Sequence, residues 1–206
     1  MGQITTGVRR ILSNSTVYDA FQALVGAAPA RRRICDEYFR ISPGMSVLDV
    51  GCGTAEILDL LPQGVRYFGI DLAQTYIDAA RTRYGERGSF RCTDITLLGP
   101  DEFPPCDLAI AIGVLHHLDD HGVANLLGNL HQRLAPGGRL ITIDPAFQPG
   151  QSPFARALIR RDRGQNVRHP EAYLALAPPQ YSQRKVTVRH DLLRVPYTHA
   201  ILECTK

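Results

Sequence analysis

The stretch VLDVGCGTAE, residues 47–56, decides the fold of this chain. Residues 46–50 are apolar and rich in β-branched side chains, which predicts a central parallel strand that is covered on both faces. Gly51 and Gly53 follow, and glycine permits a tight turn and a close approach of the backbone to a ligand. Glu56 stands where the dinucleotide fingerprint G-x-G-x-x-G needs its third glycine, which weakens the phosphate-binding interpretation.

Acidic residues follow two further short strands. Residues 65–70 and 89–92 predict a second and a third strand, and Asp71 and Asp94 come directly after them. A carboxylate at such a position can accept hydrogen bonds from ribose hydroxyls or from the exocyclic amine of adenine. Folds that bind NAD also carry an acid at the position of Asp71, so this residue alone does not identify the ligand.

The second half of the core repeats the alternation of strand and connection. A helix is predicted over residues 55–61, a fourth strand over 107–112, and a fifth strand after the Pro-Gly-Gly turn within residues 134–144. Strands that alternate with helical segments predict an α/β fold with a parallel sheet.

Five segments, taken together, resemble the ordered motifs of the class I S-adenosylmethionine-dependent methyltransferase family. They are VLDVGCGTAE, YFGIDLAQTYI, RCTDI, CDLAIAIGVLHHL and LAPGGRLITID, and the resemblance covers residues 42–144. It implies methyl transfer with S-adenosylmethionine as the cofactor. Ala55 departs from the family pattern, which usually has a third glycine there, and we expect a slightly tighter pocket as a result.

The resemblance also implies a cofactor site. Gly51 and Gly53 would line the methionine part, Asp71 the ribose, and Asp94 with Ile95 the adenine. For Asp49, inside the first strand, an ion pair or a cap to the following turn is an equal alternative to ligand contact. The cofactor-binding residues are therefore predicted to be Asp49, Gly51, Cys52, Gly53, Asp71, Leu72, Asp94, Ile95 and Gly113.

The predicted fold is a Rossmann-like, seven-stranded, mostly parallel sheet that is flanked by helices and has an antiparallel last strand. Residues 185–189 and 197–204 alternate as the closing strands should. We expect one domain over residues 1–206. It would comprise a helical lid at 1–41, the cofactor-binding core at 42–144, a cap insertion between strands five and six at 145–182, and the closing strands at 183–206.

The composition and net charge of the chain restrict the classes of function that it can have. The chain has 206 residues, of which 44% are hydrophobic and 21% charged, and its net charge of +3 is too mild for broad capture of nucleic acid. The sequence has no signal-peptide pattern, and no apolar run approaches the roughly 18 residues of a membrane span. Five cysteines without a C-x-x-C pair predict neither disulfides nor zinc. We expect a cytoplasmic monomer or homodimer without membrane or nucleic-acid partners.

Two flanking segments are expected to define the substrate. In the amino-terminal segment, Tyr18 is a candidate lid residue, although packing onto the sheet explains it equally well. The insertion of roughly forty residues is far longer than an ordinary connection and is rich in arginine. Guanidinium groups suit carboxylate or phosphate recognition, so Arg163 or Arg168 is expected to engage a polar or anionic substrate. His199, in the last strand, completes the predicted substrate residues.

Two adjacent histidines, His116 and His117, follow the fourth strand, at the end of the sheet where ligands bind in open α/β folds. If the acceptor is a hydroxyl or an ammonium group, a histidine suits proton removal. We expect His117 to face the pocket and His116 to pack against a neighbouring helix. No metal-ligand pattern accompanies them, so no metal is predicted.

The leading functional hypothesis is methyl transfer to a small, possibly anionic, molecule at oxygen, nitrogen or carbon. Methylation of a protein or an RNA is the first alternative, and a noncatalytic S-adenosylmethionine-binding protein is the second. The fold alone does not choose between these classes.

Overall fold

The structure is a computed structural model that describes residues 26–97, 102–161 and 164–206. Its centre is a seven-stranded sheet with the order β3-β2-β1-β4-β5-β7-β6. The strands are β1 Ser46–Val50, β2 Arg66–Asp71, β3 Gly88–Cys92, β4 Cys106–Ile112, β5 Leu134–Pro145, β6 Gln183–Arg189 and β7 His199–Thr205. Strand β7 is antiparallel to both β5 and β6, and the other pairs are parallel. The predicted sheet is confirmed.

Helices cover both faces of the sheet. Among the described residues the α-helices are α1 Ala27–Ile34, α2 Gln74–Tyr84, α3 Asp120–Arg133, α4 Pro153–Arg160 and α5 Pro170–Leu176. Helices α1 and α2 bury their apolar side chains on one face, together with the π-helical turn Cys35–Phe39. Helices α3 and α5 cover the other face. Because both faces are covered, β1 is buried along its whole length, as its continuous apolar run predicts.

Alternation along β5 separates the two cores. Leu140 packs with α3 and α5, whereas Ile141 and Ile143 pack on the side of α1 and α2. Side chains of successive strand residues point to opposite faces, so Asp144 faces the α3 side and Pro145 the α1 side.

The sheet order places a topological switch point between β1 and β4. From β1 the chain continues to β2 on one side, and from β4 it continues to β5 on the other. Ligands of open α/β sheets bind in the crevice at the carboxyl ends of such strands. Gly51 directly follows β1 and Gly113 directly follows β4, so the fold predicts a ligand site at these two positions.

Two predicted elements differ from the structure, and a third lies mostly outside the described residues. The helix predicted over 55–61 is only a 3₁₀ turn, Glu56–Asp59, because Ala55 before it is left-handed and Pro62 disfavours helical backbone at Leu61. The Pro-Gly-Gly turn lies within β5, where the pairing with β4 shifts register between Cys106 and Leu108. The predicted amino-terminal helical segment is described only from Gly26 onward.

Residues 146–182 lie between β5 and β6, and they carry α4 and α5 where a cap was predicted. The division of the chain into lid, core, cap and closing strands stays a prediction. Within the described ranges, no helix is both long and apolar enough to cross a membrane.

Candidate functional site

The turn after β1 needs glycine at Gly51. Its backbone is left-handed with φ of 74°, and a Cβ there would lie 2.5 Å from Cγ2 of Val114. Gly51 and Cys52 both donate their backbone N–H groups to the carbonyl of Ile70, at 2.7 and 3.0 Å. These bonds fold the turn over the end of β2. The turn therefore packs directly against the residue after Gly113, at the switch point.

Asp71 holds the same turn through a hydrogen bond to its backbone. Its Oδ2 accepts the N–H of Gly53 at 2.9 Å, and its Oδ1 accepts the N–H of Ala73 at 2.8 Å. A carboxylate oxygen has two acceptor positions, so each oxygen keeps capacity for a hydroxyl donor. Leu72 beside it is 56% exposed, which leaves an apolar surface next to the carboxylate.

Asp94 occupies the matching position after β3. Its Oδ1 accepts from the N–H and the hydroxyl of Thr96, at 2.9 and 2.7 Å, and so caps the short turn Ile95–Leu97. Thr93 donates its N–H to the carbonyl of Asp71 at 3.0 Å. The two strand-end acids are thus brought together at one edge, as the sequence predicts, while the side chain of Ile95 is buried beneath them.

Asp49 and Cys52 direct their side chains into the protein. Asp49 is 4% exposed and accepts a hydrogen bond from the hydroxyl of Tyr67 at 2.6 Å. Burial raises the pKa of Asp49 to about 7, against the lowering effect of the Tyr67 hydroxyl. The Cys52 thiol, whose pKa burial also raises, lies where a Cβ on Gly69 would be 2.9 Å from its Sγ. Asp49 is thus bonded to β2 through Tyr67, and its contact with a ligand stays a prediction.

The turn after β4 carries a buried histidine–carboxylate pair. His116 is 4% exposed and Asp144 is 1% exposed, and His116 Nδ1 lies 2.9 Å from Asp144 Oδ1. The same oxygen also accepts the backbone N–H of His116 at 3.1 Å. A carboxylate on Nδ1 favours the tautomer that leaves Nε2 as the proton acceptor. A Cβ on Gly113 would lie 3.6 Å from His116 Cε1, so the ring adjoins the switch point.

His117 lies beside this pair. Its ring centroid is 4.1 Å from that of His116, with the planes tilted by 38°, and the residue is half-buried. His116 is buried inside the protein and a carboxylate orients its ring, and its packing against a neighbouring helix stays a prediction. Asp144 was missed as a site residue, although it is one more acid at a strand end.

The insertion closes over His116. Gly164 packs so tightly on the ring that a Cβ there would lie 1.8 Å from His116 Cδ2. Asn166 donates its N–H to the carbonyl of His116 at 3.0 Å. Any larger residue at position 164 would displace the ring, so the insertion is part of the site.

Arg168 does not have the substrate-binding role that its sequence context suggests. It is 9% exposed, and its guanidinium donates to three backbone carbonyls and to Asp120. The group is engaged by the protein itself, which corrects the expectation that it binds substrate. Arg163 and Tyr18, the other predicted contacts, lie outside the described residues.

Known proteins share this architecture. A family model described as a methyltransferase domain matches residues 48–140. An uncharacterized methyltransferase of Geobacillus sp. (strain WCH70) is 29% identical over 129 residues, which are 59% of this chain and 57% of that protein. The O-methyltransferase resE of Aspergillus sclerotiorum is 32% identical over 109 residues, which are 50% of this chain and 40% of that protein. Over residues 48–140 this chain is therefore similar to methyltransferase domains.

A solved structure agrees in fold. Human N-acetylserotonin methyltransferase in complex with S-adenosylmethionine superposes with a TM-score of 0.69 at 17% identity, over 95% of this chain and 55% of that one. This similarity concerns the fold alone. The chain spans about half the length of the curated relatives described above.

The residues at the switch point fit S-adenosylmethionine, the cofactor that the resemblance in sequence implies. Gly51 and Gly53 form a turn without side chains, Asp71 retains acceptor capacity for a diol, and Asp94 Oδ2 makes no hydrogen bond to the described residues. When bound, the cofactor supplies a methyl group on a positively charged sulfur. Among the described residues no group of three or more His, Cys, Asp or Glu could hold a metal ion.

His199 lies at the same edge of the sheet but on the other face. It pairs with Pro145, so its side chain points to the α1 side, opposite to Asp144. Burial, with help from nearby His190 and Arg189, lowers the pKa of His199 to about 4, so the ring is neutral. Its Nδ1 has no hydrogen-bond partner within the described part of the chain. Contact with a substrate stays a prediction.

Proposed function

We propose that this chain transfers the methyl group of S-adenosylmethionine to a hydroxyl oxygen of a small molecule, with His116 as general base. The observation that carries the proposal is the buried pair of His116 and Asp144, which adjoins Gly113 at the switch point. The relative named O-methyltransferase supports oxygen as the acceptor atom.

The protein groups contribute alignment and proton removal. Methyl transfer from sulfur is an in-line displacement, so holding acceptor and methyl carbon together can lower the barrier by about 7–11 kcal/mol. Asp144 holds the ring of His116 and stabilises the imidazolium that forms when Nε2 takes the hydroxyl proton. Gly164 and Asn166 cover the turn and exclude water from it. A well-placed base of this kind contributes roughly 10²–10⁴-fold to the rate.

An anionic group on the acceptor would find its partners on α4. Arg156, Arg160 and Arg161 are exposed, and their side chains form no ion pair with the described residues. Residues 145–161 contain no acid at all. Arg156 lies over the ring of Phe147, with 5.7 Å between the guanidinium carbon and the ring centroid. These arginines, together with the predicted contact of Arg163, support an acceptor that carries a carboxylate or a phosphate.

The test measures release of S-adenosylhomocysteine by the purified protein with a panel of small hydroxy compounds. Each compound is paired with its deoxy analogue and with a neutral analogue that lacks the carboxylate or phosphate. We expect product only from the hydroxy compounds, and more from the anionic ones. Methylation of amines alone, or activity only on protein or RNA fractions, would contradict the proposal.

Charge reversal tests the role of α4 separately. Arg160→Glu should raise the KM for an anionic acceptor and leave the affinity for S-adenosylmethionine unchanged. Arg32→Glu is the matched control, because Arg32 is an exposed arginine of α1. An equal effect of both changes on KM would show that net charge, and not α4, is responsible.

A further inference from the structure

The backbone of Arg168 is joined to the end of β5. Phe147 donates its N–H to the carbonyl of Arg168 at 3.0 Å, and Ala146 and Arg168 form a parallel β-bridge. The N–H of Arg168 points to the hydroxyl of Tyr173 at 3.4 Å, and that hydroxyl donates to the carbonyl of Pro145 at 3.0 Å. Asp144 is the residue just before these contacts. The position of Arg168 is therefore set by the strand that carries the carboxylate of the pair.

The side chain of Arg168 reaches the turn that carries the histidine. Nη1 donates to the carbonyl of Leu115 at 3.1 Å, and Nη2 donates to the carbonyl of Leu118 at 2.7 Å. These two carbonyls lie on either side of His116 and His117. Nη1 also donates to Asn166 at 2.8 Å, whose own N–H binds the carbonyl of His116. One guanidinium thus holds the turn at both ends.

The fourth contact is electrostatic. Nε donates to Asp120 Oδ1 at 2.8 Å, where the side chain of Asp120 is 76% exposed and that of Arg168 is 8% exposed. A mostly solvated carboxylate is a weak partner for a buried cation. Burial of a charge is costly unless its donors are satisfied, and here the backbone carbonyls of the turn satisfy most of them. The ring of Tyr173 adds a cation–π contact at 5.7 Å.

We propose that Arg168 is a positioning residue for the reaction: it holds the ring of His116 at hydrogen-bond distance from Asp144. The inference rests on the proposed function, because it gives Arg168 a catalytic effect only through His116. His116 lies in the turn after β4 and Asp144 lies in β5. Arg168 is bonded to that turn through its side chain and to the residues after β5 through its backbone. A planar guanidinium donates in several fixed directions, whereas a lysine ammonium does not span two carbonyls in the same way.

The variants Arg168→Met and Arg168→Lys test this role, with Arg133→Met as the matched control. Arg133 is 2% exposed and donates to the carbonyl and side chain of Asn129, next to the amino-terminal edge of the sheet. Its loss should lower stability without touching the site. Arg168→Lys keeps the charge and serves if the methionine variant does not fold.

The first measurement is the NMR signal of the His116 Nδ1 proton in protein saturated with S-adenosylmethionine. We expect the wild type and Arg133→Met to show a downfield signal from the bond to Asp144, and both Arg168 variants to lose or weaken it. The second is steady-state kinetics, where Arg168→Met should lower kcat by about 10²-fold, the size expected for a misplaced catalytic group. Arg168→Lys should lower kcat less, and the affinity for S-adenosylmethionine should not change.

The His116→Gln background separates this inference from the proposed function. If Arg168 acts through His116, Arg168→Met should lower kcat no further in that background. A further loss there, an unchanged Nδ1 signal in Arg168→Met, or an equal loss of kcat in Arg133→Met would each overturn the positioning role. If His116→Gln alone keeps full activity, the base assignment fails, while the NMR signal still reports whether Arg168 holds the ring.

Discussion

The proposed cofactor side and the proposed acceptor side of this site are built in different ways. On the cofactor side, the turn after β1 is held by Asp71, 18 residues from Gly53, and by the carbonyl of Ile70, both in the neighbouring strand β2. On the acceptor side, His116 meets Asp144 across 28 residues, and Arg168 meets the turn of His116 across about 50. Backbone turns and strand-end acids recur as local sequence motifs. The acceptor side, in contrast, is formed by residues that are far apart in the sequence, and some of them belong to the insertion.

The largest expected effect tests whether the two sides have separate tasks. His116→Gln should lower kcat by about 10²–10⁴-fold, because the base is lost, and should leave the affinity for S-adenosylmethionine unchanged. Steady-state kinetics and calorimetry measure the two quantities. His131→Gln, on α3 against Tyr181, is the control and should change neither. A parallel loss of cofactor affinity in His116→Gln would show that the two sides do not have separate tasks.

The next effect concerns the stability of the cofactor side. Burial raises the pKa of Asp49 to about 7, above its ordinary value of 3.8, so the folded protein favours the neutral acid. Its contribution to stability is fully present below about pH 4 and is lost as the pH rises towards 7. The loss has a ceiling of about 4 kcal/mol, from about 1.4 kcal/mol per pKa unit.

Urea unfolding between pH 4.5 and 8 measures this contribution. Relative to the wild type, Asp49→Asn should gain stability as the pH rises, since an amide cannot ionise. Asp78→Asn, an exposed position on α2, should follow the wild type. If the stability of all three proteins depends on pH in the same way, ionisation of Asp49 does not contribute to that dependence.

The third expected effect is a change in the affinity for S-adenosylmethionine. Asp71→Ala should weaken binding of S-adenosylmethionine by about 1–3 kcal/mol, through lost hydrogen bonds to ribose and a released Gly53 N–H. Calorimetry measures the affinity, and kcat at saturating cofactor should fall much less than in His116→Gln. Unchanged affinity in Asp71→Ala would show that the turn binds the cofactor without this carboxylate.

The smallest effect is at Ala55, where the family usually has glycine. Ala55 is left-handed, with φ of 58°, and its side chain is fully buried. Glycine would relieve roughly 1 kcal/mol of backbone strain but would lose a buried methyl group and gain freedom in the unfolded state. Ala55→Gly should therefore change the free energy of unfolding by less than about 1 kcal/mol, as measured with urea. A change of several kcal/mol would show that the methyl group is essential to the turn.

The sheet and the acids at its strand ends were predictable because their signals are local. The apolar run of β1 and the acids after β2 and β3 identify strand ends whatever the rest of the chain does. Asp144 was missed because it stands at the end of an apolar strand, and nothing nearby in the sequence marks His116 as its partner. Arg168 was assigned to the substrate because a guanidinium suits anions, and the sequence does not show that backbone carbonyls satisfy it instead.

The most direct test of the central claim is calorimetric titration of the wild-type protein with S-adenosylmethionine, S-adenosylhomocysteine and NAD in parallel. The account predicts that the first two bind and that NAD does not, because the switch point carries Asp71 and Asp94 but lacks the third glycine of a dinucleotide turn. Binding of NAD, with no response to the other two, would contradict the account.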